Sequence, residues 1–218
     1  MGRWIDISQK LTNDMAHWPG DTPFTFSLTY PMEQTGSVNI GQITASLHTG
    51  THVDAPYHYD NQGKTIEQLN IDRYIGKAAV IDVSHADRIT AAVLNELEWE
   101  DAPRLLLHTS LPNNPKRFPE QMPILDPEIA PYLKEKGVSL LGVDMPSVDP
   151  ADSKSLDTHK SLYKHGINIL ENIMLDHVKP GSYELIALPL SIHGGDGSPV
   201  RAVIRPLQEG EEYHDRYE

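Results

Sequence analysis

The sequence predicts a single α+β domain in which a mixed β-sheet is partly covered by helices. Three observations carry that reading. Strand-like runs bounded by Gly, Pro or Asn crowd the first third of the chain. From Ala78 onward, strands alternate with helical segments, as expected where helices cover a sheet. The length of 218 residues suffices for one large domain with a buried core and does not demand two.

In chain order, Trp4 to Ile7, Phe24 to Tyr30 and Asn39 to His48 read as strands without helical spacing, and their closeness in sequence favours antiparallel pairing. Ala78 to Val83 reads as a buried strand, followed by a helix in AAVLNELEWE with Thr90 as its N-cap. Arg104 to Ser110 and Val138 to Asp144 are further strands, separated by a helix in PEIAPYLKEKG that stops at Gly137. A helix capped by Asp157 and ending at Gly166 precedes the apolar run Ile167 to Leu170. Tyr183 to Leu190 and Val200 to Leu207 complete the strands. The domain is expected to occupy residues 1–208, leaving the acidic segment Glu209 to Glu218 as a solvated tail.

Composition removes several classes of function. Eighteen basic against thirty-one acidic residues give a formal charge of −13, which opposes nucleic-acid phosphates. No apolar run approaches the roughly 18 residues of a membrane span, and the opening MGRWIDISQKL has no signal-like apolar core. A cytoplasmic protein whose mature chain starts here is the expectation, with neither nucleic acid nor membrane as partner. With no cysteine, disulfides, thiolate nucleophiles and thiolate-held metals are excluded, so any metal must be held by imidazole and carboxylate. A serine hydrolase of the α/β type would need a G-x-S-x-G elbow, and the chain has none.

The stretch HTGTHVDAPYH, His48 to His58, gathers three of the chain's eleven histidines and an aspartate. The run before it alternates, with Ile43, Ala45 and Leu47 on one face and Gln42, Thr44, Ser46 and His48 on the other, so His48 is expected to end a strand on its polar face. A straight strand would hold His48 and His52 roughly 13 Å apart, too far for one metal with bonds of about 2 Å. Gly50 can bend the chain between them and Pro56 can turn it again before His58. A helix would also put His48 and His52 on one face, but Gly50, two threonines, Val53 and Pro56 argue against it. Against a plain hydrogen-bonded loop, two histidines and an aspartate at this spacing favour a metal site, in which Asp54 can bridge two ions. His58 can serve as a ligand or as a free acid/base.

The pattern HxGTHxDxPxH, filled here by His48, Gly50, Thr51, His52, Asp54, Pro56 and His58, resembles the signature of the metal-dependent cyclase-like hydrolases. WPGD (Trp18 to Asp21), GVDMPSVD (Gly142 to Asp149) and GGDGSPVRAV (Gly194 to Val203) are similar to that family's other landmarks. The resemblance implies a swivelling β/β/α fold, a common homodimer, and two divalent ions per subunit, usually Zn2+. It implies His48, His52, Asp54, His159 and Glu171 as metal ligands, His58 as the catalytic acid/base and Trp18 as a substrate-packing residue. The implied activity is hydrolysis of a small-molecule aryl formamide. A cyclic amide or lactone is the alternative substrate, and a non-catalytic metal-binding protein is the rival of another class.

Several residues keep a second reading. His159 could be an ordinary exposed helical histidine, with His165 as a competing ligand. Trp18 could belong to the core, although its neighbours suggest a surface loop. Glu171 follows an apolar run, and a buried carboxylate there needs a cation. Imidazole and carboxylate also suit manganese, iron or cobalt.

Overall fold

Two features of sequence set the centre of the sheet: AAVID and RLLL are apolar on both faces, and strands that are buried on both faces read as continuous apolar runs. The computed structural model describes residues 2–207. Its strands are β1 (Ile5–Asp6), β2 (Thr25–Tyr30), β3 (Ile40–Thr44), β4 (His52–Asp54), β5 (Ile75–Asp82), β6 (Arg88–Ile89), β7 (Arg104–His108), β8 (Ile124–Leu125), β9 (Leu140–Val143), β10 (Asn168–Glu171), β11 (Gly181–Ile186), β12 (Gly197–Pro199) and β13 (Val203–Pro206). The helices are α1 (Met32–Thr35), α2 (Ala91–Asn95), α3 (Ile129–Glu135) and α4 (Asp157–Lys164).

The main sheet runs β1-β13-β11-β5-β7-β9-β10-β4-β12. Its centre, β5, β7, β9 and β10, is parallel, and both flanks are antiparallel. Alternation along β5 sends Ala79 and Ile81 to one face and Ala78 and Val80 to the other. On the first face lie Leu94 of α2, Ile129 and Leu133 of α3, and Leu162 of α4. On the second, Val53, Leu170, Leu185 and Ile204 close a separate core around the fully buried Tyr74. The mixed α+β single domain is therefore as expected.

Several local expectations need correction. The third strand stops at Thr44, so His48 lies in a turn and does not end a strand. Alternation before it reports no core face either, because Ile43 is 64% exposed. Phe24 to Tyr30 and its successor do pair antiparallel, but as a hairpin apart from the main sheet, while β1 joins β13 at the far edge. The helix after Thr90 ends at Asn95, short of the expected Glu100, although the Thr90 hydroxyl does accept from the Val93 N–H. Asp157 does not cap α4: the cap residue is Leu156, at φ 51. The acidic tail lies outside the described residues.

Candidate metal centre

Strand β4 is three residues long, and its period of two does the first positioning step. Val53 points into the second core, fully buried, while His52 and Asp54 share the opposite face. Glu171, the last residue of β10, stands directly across from His52 in the antiparallel register. The carboxyl end of one strand and the neighbouring strand thus present an imidazole and two carboxylates together, all three buried.

His48 reaches the group from its turn because Gly50 takes φ +63, a left-handed conformation that returns the chain. Thr51 ties this return down: its hydroxyl donates to the Asn172 carbonyl at 2.6 Å and accepts from the Gln9 N–H at 2.8 Å. Asn172 itself sits at φ 57 just after Glu171. The two non-glycine left-handed residues among those described, Leu156 and Asn172, both flank this centre, where stored backbone strain is commonly found.

His159 arrives from the first turn of α4. Asp149 holds it there: its carboxylate accepts from the Thr158 and His159 backbone N–H groups, each at 3.0 Å, and lies 2.6 Å from His159 Nδ1. Asp149 therefore satisfies the open helix end and fixes the ring in one contact. His165, at the other end of α4, hydrogen-bonds the Ser161 carbonyl and stays out of the cluster.

The distances define a compact donor set. His48 Nδ1 lies 3.0 Å from Asp54 Oδ1, and His52 Nε2 lies 3.4 Å from Asp54 Oδ1 and 3.3 Å from Glu171 Oε2. On the other side of Asp54, His159 Nε2 is 3.3 Å from Oδ2 and 3.7 Å from Glu171 Oε1. Both carboxylates thus lie between the imidazoles. Donor atoms of His48, His52 and Asp54, and of Asp54, His159 and Glu171, form two groups each within 4.8 Å, with Asp54 common to both, and His48, His58 and Asp196 form a third, more exposed one.

The test of whether a cation fits is the satisfaction of buried polar atoms. His52 donates Nδ1–H to the Gly50 carbonyl at 2.8 Å, leaving Nε2 with a free lone pair. His52 Nε2 and Asp54 Oδ2 are both buried with no hydrogen-bond partner. Two buried carboxylates with orphaned neighbours call for positive charge. A divalent cation fits these donors. In its place, protons are drawn in: burial works to lower the His52 and His159 pKa values, but the facing carboxylates raise both to about 10. His48 is raised to about 9, again against burial, by Asp196 and Asp54. Asp54 is held well below the usual carboxylate range by its three imidazoles, despite its burial.

His58 follows Pro56 in a one-turn 3-10 segment and remains partly open to a cavity of about 280 Å³. Trp18 and Phe118 line the same cavity, edge to face with ring centroids 5.3 Å apart. Of the site residues expected from the sequence, His48, His52, His58, His159, Glu171 and Trp18 line this cavity, and Asp54 lies within 3.4 Å of His48, His52 and His159. Two further residues stand outside that set. Asp149 lies inside the landmark segment GVDMPSVD with no signal of its own, and Asp196, in GGDGSPVRAV, reads from sequence either as a supporting partner or as a turn residue; their partners lie 10 and 148 residues away. Asp144, of the same landmark segment as Asp149, bonds Thr109 and sits apart; burial raises it to about 6.

Residues 5–150 match the Cyclase family, described as "Putative cyclase". Kynurenine formamidases of Bacillus cereus and Bacillus cytotoxicus are 55% and 57% identical to this chain over 204 residues, covering 94% of it and 98% of each relative. A solved structure described as a "predicted metal-dependent hydrolase from Bacillus stearothermophilus" superposes with a TM-score of 0.78 at 25% identity, covering 94% of this chain and 98% of the other. An isatin hydrolase superposes with a TM-score of 0.80 at 21% identity over 94% of this chain and 92% of the other, a likeness of fold alone. From the imidazole and carboxylate cluster, the signature stretch that builds it and these matches along nearly its whole length, the chain belongs to the Cyclase family.

Proposed function

We propose that this protein is an arylformamidase that hydrolyses N-formyl-L-kynurenine to L-kynurenine and formate, a step of tryptophan breakdown. The carrying observation is that His58, not needed to complete the buried donor set, faces the same aromatic-walled cavity as that set. The identity to kynurenine formamidases over nearly full length supports this substrate over a cyclic amide.

His48, His52, Asp54, His159 and Glu171 would hold the metal, and the two donor groups sharing Asp54 support two ions per subunit. Zinc is the proposed ion, suited to imidazole and carboxylate. When bound, such ions acidify water and polarise a carbonyl. Trp18 and Phe118 would stack the aryl ring and thereby orient the formamide toward the floor of the cavity. Water oxygen bonds to the formyl carbon as its proton passes to His58, the C–N bond breaks, and His58 delivers that proton to the departing nitrogen. An anilide nitrogen leaves readily only once protonated, so the reaction needs this acid as well as a nucleophile. Asp21 and Arg117, also on the cavity wall, offer both signs of charge to the amino-acid end of the substrate.

The acidic composition suits a cytoplasmic surface, and the exposed hairpin of β2 and β3 supports a homodimer. The deciding experiment assays N-formylkynurenine before and after chelation. Activity lost on chelation and restored by zinc is the expected result; turnover of isatin without turnover of formylkynurenine overturns the assignment.

A further inference from the structure

Asp196 belongs to neither core and sits 40% exposed at its side chain, yet one of its oxygens meets two imidazoles. Its Oδ2 lies 3.0 Å from His48 Nε2 and 3.5 Å from His58 Nδ1. The two rings lie against each other, centroids 4.0 Å apart and tilted by 37°. The backbone brings Asp196 there rigidly. Its carbonyl accepts from the Ala55 N–H at 2.9 Å, and the next residue, Gly197, pairs with Asp54 across β12 and β4. The approach at Gly197 is tight: a Cβ there would stand 3.0 Å from His48 Cε1 and from the Val53 carbonyl oxygen.

We infer that Asp196 is the positioning residue for His58: it accepts Nδ1–H, and so fixes Nε2 as the atom presented to the substrate nitrogen. The inference rests on the proton-transfer role assigned above to His58. A neutral imidazole carries its proton on one nitrogen only, and a carboxylate at Nδ1 selects that tautomer and holds the orientation of the ring. The 3.5 Å separation suits a contact that tightens when substrate fills the cavity.

The test compares D196A and D196N with the parent enzyme, H58A and the double variant H58A/D196A. For D196A, kcat is expected to fall about 10 to 100-fold with KM little changed, and metal content by mass spectrometry is expected to stay at the parent value. The loss is expected to be larger for formanilide than for 4-nitroformanilide, whose nitrogen needs less protonation. The double variant is expected to be no slower than H58A alone, the signature of residues acting as a unit. Loss of metal, an equal loss for both leaving groups, or additive losses would each overturn the inference. D196N keeps an acceptor oxygen without the charge, and its rate is expected to lie between parent and D196A; it supplies the same readouts if D196A does not fold. Inactivity of the parent enzyme on formylkynurenine refutes the substrate reading, and full activity of H58A refutes the role of His58. Either result is distinct from a failure at Asp196 alone.

Discussion

His52 has one ring nitrogen engaged by a carbonyl and the other buried without a hydrogen-bond partner, whereas His58 is open to the cavity. In H58A, turnover is expected to fall roughly 10²- to 10⁴-fold while bound metal, measured by mass spectrometry, is unchanged. Loss of metal would make His58 a ligand instead. The imidazoles also set an opposite pH response in the two forms of the protein. With folded-state values near 10 for His52 and His159 against the ordinary histidine value of 6.5, their protonation stabilises the metal-free fold fully below about 6.5 and loses that effect as pH rises toward 10. A bound cation displaces those protons, so its affinity grows over the same range. Calorimetry is expected to show the metal-free protein melting lower as pH rises from about 6.5 to 10, and the gain in melting temperature on adding zinc widening. A gain that shrinks would contradict a site of imidazole and carboxylate. At the cavity mouth, Arg117 faces Glu120 at 2.6 Å and is free to exchange that partner for a substrate carboxylate. R117A is expected to raise KM for formylkynurenine and leave formanilide, which lacks the amino-acid end, unaffected; equal KM changes would remove Arg117 from substrate binding.

At the scale of elements, the site depends on two short pieces of chain that carry little regular structure of their own. Strand β4 is held by its register with β10, and α4 by Asp149 at its open end. Removing that carboxylate in D149A leaves two backbone donors and a ring nitrogen without an acceptor, a loss of about 1–3 kcal/mol. The variant is expected to melt earlier and to bind less metal, since His159 is no longer aimed; wild-type metal content in D149A would show that the helix alone positions His159. The sequence made the ligand types legible because the absence of cysteine left only imidazole and carboxylate, and the fixed spacing of His48, His52 and Asp54 marked where. It also placed the bend at Gly50. Periodicity failed at His48, because the alternating run before it belongs to an exposed hairpin whose outward face is as apolar as a core face. It failed at Asp157 because a carboxylate eight residues earlier in sequence, Asp149, took over the helix end. Long-range contacts of that kind leave no local pattern, and sheet order is of the same sort: β4 and β12 meet only through pairing across more than 140 residues.

For the whole molecule, the hairpin of β2 and β3 is the feature that the two cores leave unexplained. Phe26 pairs with Ile43 and Leu28 with Gly41 on one face, while Thr25, Ser27, Gln42 and Thr44 occupy the other. The Phe26 ring lies across Gly41, where a Cβ would come within 2.5 Å, yet Phe26 stays 48% exposed. Tyr30, Met32, Val38 and Ile40 extend the exposed apolar surface toward the tip. A two-stranded ribbon with an open apolar face is barely stable alone. Within residues 22–46 the one charged side chain is Glu33, in a chain of net charge −13. Two such chains repel over most of their surface, and this near-neutral arm is where they can approach; a face meeting its own copy about a two-fold axis closes as a dimer. Light scattering of the zinc-loaded protein is accordingly expected to give twice the mass of one chain, with the dimer favoured by added salt, which screens the repulsion elsewhere. I43K places a like charge opposite its symmetry mate in the apolar face and is expected to yield monomer while the fold, read by circular dichroism, persists. A monomeric parent protein, or a dimer indifferent to both I43K and salt, would move the interface away from the hairpin.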